Sequence, residues 1–142
     1  VAGGYWPLLL LAIHHDAAGE LARSCELVAR FDGIKKWKRD LRLDVLRGAC
    51  ALEAGDAATG ARLAGRSLGI LIATEPGDFA GAVLRAHEIH ALSTLQIWRQ
   101  GGDPAGRKKV DKALAAWEEA ARTHNDGADL VAALTWRSGL GD

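Results

Sequence analysis

Three similar turn sequences recur along the chain and restrict the folds that it can adopt. Each combines an Asp with a Gly three or four residues later: Asp16-Ala-Ala-Gly19, Asp56-Ala-Ala-Thr-Gly60 and Asp103-Pro-Ala-Gly106. An Asp before a helix can accept hydrogen bonds from the exposed amides of the first turn, and Pro104 suits a first helical position. Recurrence at intervals of roughly 40 residues is typical of stacked helical hairpins, which bury their apolar faces only against neighbours.

The residues around these turns also match in polarity. Alignment on the three glycines places an apolar residue at the same distance on either side of each glycine. Before the turns these residues are Leu11, Leu52 and Trp98, and after them Leu27, Leu68 and Leu114. We therefore expect six equivalent, inward-pointing side chains on three consecutive helix pairs.

Composition and periodicity indicate helices throughout. The chain has only three Pro residues, and Ala, Leu, Arg and Glu, which favour helices, are abundant. From Ile34 through Trp37 and Leu41 to Leu52, apolar residues recur every three or four positions, which predicts one long amphipathic helix. Turn and capping residues divide the chain into seven predicted helices, near residues 5–14, 17–31, 34–54, 57–74, 79–100, 104–123 and 128–138.

The predicted fold class is all-α, with antiparallel helical hairpins stacked as a short α-solenoid. A length of 142 residues, 49% of them hydrophobic, fits one compact domain. Its predicted repeat units are residues 5–31, 34–74 and 79–123, and a capping helix spans residues 128–138.

One of the turns resembles that of a known repeat family. Gly48, Gly55 and Asp56 have the spacing of the small first-helix residue and the Gly-Asp turn in tetratricopeptide repeats, and Gly101-Gly102-Asp103 echoes that turn. The chain is similar to the degenerate, long-helix members found in many bacterial signalling regulators and scaffold proteins. It departs from the family at Asp44 and Ala51, where an aromatic pair is preferred. The resemblance implies a concave surface that binds peptides or proteins, with no catalytic residues.

Charge and cysteine content favour a cytosolic protein. The 18 basic and 18 acidic residues cancel, so no global field attracts nucleic acid or anionic membrane. The apolar run from Pro7 to Ile13 is too short to span a bilayer, and no positively charged leader precedes it. Cys25 and Cys50 lack the close spacing of a zinc or redox motif, so we predict buried, reduced thiols.

The strongest local charge lies in residues 34–47, where six basic residues oppose two acidic ones. We predict that this basic face contacts an acidic partner protein, which is favoured over nucleic acid. A plain alternative is a core tryptophan, Trp37, beneath a solvated basic surface. The predicted contact residues are Lys35, Lys38, Arg39 and Arg42.

His87, Glu88 and His90 are the candidates for a different function, a small-ligand or metal-binding helical bundle. Residues 87 and 90 share one helix face and could bind a metal with a neighbouring carboxylate. The spacing does not fit the zinc-protease motif, and no second Glu-x-x-His element accompanies it. Packing of both histidines at a helix interface is the simpler interpretation, so we predict no cofactor.

No pattern of residues indicates catalysis. Neither a nucleophile motif nor a Gly-rich phosphate loop is present, so we predict an interaction module rather than an enzyme. Gly60, Gly65 and Gly69 fall inside a predicted helix, where close approach of another helix would offset their conformational cost. Leu130, Val131, Leu134 and Trp136 make the last helix apolar, which suits a capping role and also the docking of a second copy.

Overall fold

A computed structural model describes residues 2–31, 40–71, 80–101 and 103–141. Within these ranges the chain is all-helical and contains no β-strand. The helices are α1 (Ala2–Ala17), α2 (Leu21–Phe31), α3 (Leu41–Glu53), α4 (Ala57–Leu71), α5 (Ala80–Gly101), α6 (Pro104–Thr123) and α7 (Gly127–Leu140).

Helices adjacent in sequence pack against each other, which confirms the predicted all-α stack. The pairs α1–α2, α3–α4 and α5–α6 form hairpins, and α7 packs on α6. The first helices of successive hairpins also meet, because α3 contacts both α1 and α5. Helices α1, α3 and α5 therefore form one layer of the stack.

Each of three core clusters connects three consecutive helices. Buried residues of α1, α2 and α3 form the first cluster, those of α3, α4 and α5 the second, and those of α5, α6 and α7 the third. Leu43 and Phe31 are fully buried in the first, Ile89 is 1% exposed in the second, and Trp117 is fully buried in the third. Since α3 and α5 each contribute to two clusters, apolar burial is continuous along the stack.

Three helix ends share one turn geometry. The second residue after the helix has a positive φ, which is 80° at Gly19, 90° at Gly55 and 52° at Asn125. The next amide then bonds back to the carbonyl five positions earlier, from Glu20 to His15, from Asp56 to Ala51 and from Asp126 to Ala121. This left-handed cap satisfies carbonyls that the helix leaves unpaired.

The turn geometry corrects the alignment used to find the repeat. Asp16 lies inside α1, so Gly19 is the structural counterpart of Gly55 and not of Gly60. The prediction of six equivalent inward-pointing residues is consequently wrong at Leu11, which is 45% exposed. Leu68 and Leu114 are buried as expected, whereas Leu27, Leu52 and Trp98 are half-buried.

Small residues allow close helix crossings in the first two hairpins. In the first, the Ser24 hydroxyl donates to the Ala12 carbonyl of the partner helix at 2.8 Å. In the second, a Cβ added to Gly60 would lie 3.2 Å from the Gly48 carbonyl and 2.6 Å from Ser93 Oγ. Close approach therefore offsets the cost of a helical glycine at Gly60. Gly65 has only ordinary contacts, and Gly69 has none within 4 Å.

The prediction of a single helix from residue 34 to 54 is wrong at its start. Asp40 is extended, with φ −110° and ψ 131°, and its carboxylate accepts a hydrogen bond from the Arg42 amide, so α3 begins at Leu41. The capping energy of this side chain outweighs the apolar periodicity that crosses it. Ile34 and Trp37 lie outside the described residues, as do residues 72–74 of the predicted fourth helix.

The cysteines also differ from the prediction, since Cys25 and Cys50 form a disulfide instead of remaining reduced. Their Cα atoms lie 5.7 Å apart because α2 and α3 are neighbours. Both residues are only half-buried. Sequence spacing could not reveal this pair, because 25 residues separate its members.

Among the described residues, no helix combines the length and the apolar character needed to cross a bilayer.

Candidate functional site

A groove of about 680 Å³ is lined by residues of α1, α2, α3, α5 and α7. Its walls come from the end of α1, the α1–α2 turn, the first half of α3, the first half of α5 and the start of α7. Stacking alone brings these segments together, because they are far apart in sequence. The groove is partly open to solvent.

The floor of the groove is apolar. Val45, Leu46 and Leu84 line it and are 2%, 3% and 6% exposed, so they also belong to the core. Ile13 and Leu21 line its side and are half-buried, which leaves apolar surface for a ligand. A bound segment would remove that surface from water.

Arg85 holds an ionic wall of the groove in place. Its guanidinium donates to both carboxylate oxygens of Asp16, from Nη2 at 2.8 Å and from Nε at 3.0 Å. Nη1 donates to Glu88 Oε1 at 2.5 Å. Burial alone would lower the pKa of Arg85, but the hydrogen bonds and charges of Asp16 and Glu88 outweigh it and raise that pKa. The end of α1 is thereby fixed to α5 across 69 residues of sequence.

Two further carboxylates stand at the start of α7. Asp126 caps this helix and accepts from the Asp129 amide at 2.9 Å. Asp129 accepts the indole N–H of the buried Trp117 at 2.9 Å. Both line the groove, and neither has a basic side chain within salt-bridge distance in the part of the chain that the structure describes.

Only one of the four predicted basic contact residues lies within the described ranges. Arg42 lines the groove, half-buried, and its guanidinium donates to both oxygens of Asp40 at 3.2 and 3.0 Å. It is thus an ion-paired residue of the groove lining. Lys35, Lys38 and Arg39 lie outside the described residues. The predicted acidic-partner and nucleic-acid contacts there stay predictions.

Two of the candidate metal ligands, Glu88 and His90, have different neighbours. Glu88 faces the groove, where Arg85 binds it, while His90 lies beside Gly65 of α4. Burial, followed by the charges of His90 and His124, lowers the pKa of His87 to about 4, and burial also lowers the pKa of His90. Residues 2–31, 40–71, 80–101 and 103–141 contain no group of three ligating side chains that could hold a metal ion.

The last helix carries exposed apolar side chains, as its sequence indicated. Val131 is 64% exposed and Leu134 is 38% exposed. Trp136 is 37% exposed and has the Arg99 guanidinium over its ring at 5.8 Å. Docking of a second copy on this helix stays a prediction.

Sequence reasoning missed most of the groove residues. Asp16, Arg85, Asp126 and Asp129 were not identified as neighbours, because the contacts that join them depend on the stacking register. Asp126 and Asp129 did carry a local signal, since acidic residues favour a helix start. That signal predicts capping and does not distinguish a groove from open surface.

Comparisons with known proteins give no relative for this chain. No protein-family model matches it, and neither the curated proteins nor the solved structures include a significant match.

Proposed function

We propose that this chain is a helical-repeat interaction module that binds a segment of another protein in the groove. The observation that carries the proposal is the groove itself, with an apolar floor and a wall fixed by the Asp16–Arg85–Glu88 ion pairs. Pre-formed walls lower the entropic cost of binding, because they need no ordering when a ligand arrives. A module of this kind would serve as the sensing or scaffolding part of a larger regulator, as the tetratricopeptide resemblance implies. No reaction is proposed.

A blocking variant tests this function. Gly81 lines the groove, is exposed and has no atom within 4 Å of an added Cβ, so Gly81→Trp would fill the groove without disturbing the core. Gly69 is also helical, exposed and free of such contacts, but lies outside the groove, so Gly69→Trp is the matched control. Peptides selected on the wild-type protein from a random display library should bind Gly81→Trp at least about tenfold more weakly, a loss of about 1.4 kcal/mol.

Fluorescence anisotropy of the selected peptides measures this difference. Unchanged affinity of Gly69→Trp would exclude a general effect of an added tryptophan. The proposal fails when no peptide is enriched above background, or when Gly81→Trp binds the enriched peptides as well as the wild type does.

A small organic ligand is the second candidate. The volume of about 680 Å³ lies within the range of small-molecule sites. A small-molecule library screened by thermal shift distinguishes the two candidates. Hits that stabilise the wild type and Gly69→Trp but not Gly81→Trp, with no peptide enriched, would favour the small ligand.

The disulfide supports an oxidising compartment in place of the predicted cytosol. The reducing cytosol keeps most thiols free, whereas secreted and periplasmic proteins retain disulfides. Alkylation of the protein in extracts of its own cells, followed by mass spectrometry, tests this. Unlabelled Cys25 and Cys50 are expected, and labelled thiols would restore the cytosolic assignment.

A further inference from the structure

We propose that the segment bound in the groove is cationic, carrying Lys or Arg side chains beside apolar ones. This inference rests on the proposed function and specifies its ligand. Its basis is the charge balance of the groove wall, which leaves negative charge without a partner.

The groove is lined by four carboxylates and two guanidinium groups. Each guanidinium already has a carboxylate partner: Arg85 is shared by Asp16 and Glu88, and Arg42 is bound by Asp40. A ligand carboxylate would therefore have to compete with an existing ion pair. Removal of a partner from a half-buried charge is costly, so the guanidinium groups are poor anchors for an anion.

Asp126 and Asp129 differ because their hydrogen bonds come from neutral donors. One oxygen of Asp126 accepts a backbone amide, and one oxygen of Asp129 accepts the Trp117 indole. In the described ranges the second oxygen of each carboxylate receives no hydrogen bond. The dipole of α7 offsets roughly half a unit charge. Most of the charge of the pair thus remains to attract a cation.

The apolar part of the ligand follows from the apolar residues that line the groove. Ile13, Leu21 and Ala82 are half-buried and line the same groove as the two carboxylates, so they offer apolar surface to the same ligand. A Lys or Arg side chain suits such a site, because its methylene stem packs on apolar groups while its charged end reaches a carboxylate. Charge complementarity of this kind determines specificity and association rate.

Asparagine substitutions test the charge while preserving the structure. Asn caps helices as well as Asp does, and its amide oxygen can accept the Trp117 indole. We expect the double variant Asp126→Asn with Asp129→Asn to bind the selected peptides roughly tenfold more weakly. Asp103→Asn is the matched control, because Asp103 is also an N-cap but is not among the residues lining the groove. It should leave the affinity unchanged.

The peptides selected on the wild-type protein provide a readout that does not depend on the variants folding. Enrichment of Lys and Arg, with affinity that falls as salt rises, supports the inference. Acidic or uncharged peptides that bind the wild type but not Gly81→Trp would overturn the cationic ligand and leave the proposed function standing. Absence of enrichment, or binding unaffected by Gly81→Trp, would overturn both.

Discussion

Gly60 occupies a point where α4 approaches two helices at once. An added Cβ would lie 2.6 Å from the buried Ser93 Oγ and 3.2 Å from the Gly48 carbonyl. Because backbone cannot move aside easily, we expect Gly60→Ala to lower the free energy of unfolding by about 1–3 kcal/mol, the usual cost of overpacking. Urea denaturation measures this.

The matched substitution for Gly60→Ala is Gly69→Ala in the same helix. Gly69 has no atom within 4 Å of an added Cβ, so Ala should raise the unfolding free energy by up to about 1 kcal/mol. If both variants change the free energy of unfolding in the same direction, the close approach of helices at Gly60 is contradicted.

His87 makes stability depend on pH. Its pKa of about 4 lies below the ordinary value of 6.5, so between these pH values the unfolded chain binds a proton that the folded chain does not. The unfolding free energy should therefore rise with pH from about 4 to 6.5 and be progressively lost on acidification. His87→Gln should flatten this slope. Chemical denaturation at a series of pH values measures the slope, and an unchanged slope in His87→Gln would refute this assignment.

At the scale of helices, the disulfide joins α2 to α3, which share fewer contacts than the two helices of each hairpin do. Crosslinking residues 25 positions apart restricts the unfolded chain and stabilises the fold by about 3 kcal/mol. We expect the double variant Cys25→Ser with Cys50→Ser to lose about this amount in urea denaturation. Wild-type protein in excess dithiothreitol should match the variant, and the variant should not respond to dithiothreitol. Equal stability with and without reductant would show that the bond contributes nothing.

Helix boundaries could be predicted from sequence where local chemistry determines them. Residues 104–123 were predicted as a helix, and α6 has those limits because Asp103 caps it and Pro104 suits its first position. The predicted start of α3 is wrong because the apolar periodicity continues across Asp40. The backbone of Asp40 is extended, so α3 begins only after this residue. The repeat was found with the wrong alignment, since Asp16 resembles a capping residue but lies within α1.

The groove could not be predicted, because it exists only in the stacked molecule. Asp16 and Arg85 meet across 69 residues of sequence, and no local pattern marks either as a partner. Cys25 and Cys50 likewise meet across 25 residues of sequence, and no local pattern marks them as partners. A sequence pattern thus predicts the helices and their apolar faces. Which charged side chains of different hairpins become neighbours depends on how the hairpins align in the stack.

At the scale of the whole molecule, the Asp16–Arg85 ion pair connects the first hairpin to the third. Asp16 is 9% exposed and Arg85 is 28% exposed at the side chain, so water screens this bidentate pair only partly. We expect a double-mutant cycle of Asp16→Asn with Arg85→Met to give a coupling free energy of about 1–2 kcal/mol. Arg107 and Asp111 form a pair within one helix in which the carboxylate is 56% exposed, and their cycle should give no more than about 0.5 kcal/mol.

The Arg85→Met variant of this cycle also tests whether the ion pair maintains the groove. Because the pair fixes the end of α1 against α5, Arg85→Met should weaken peptide binding even though the floor residues are unchanged. Arg107→Met should leave binding unaltered, since Arg107 is not among the residues lining the groove. A coupling energy no larger than that of the Arg107–Asp111 pair would mean that the hairpins hold their register without this bridge. The pre-formed wall would then have to come from apolar packing of α1 on α3 alone.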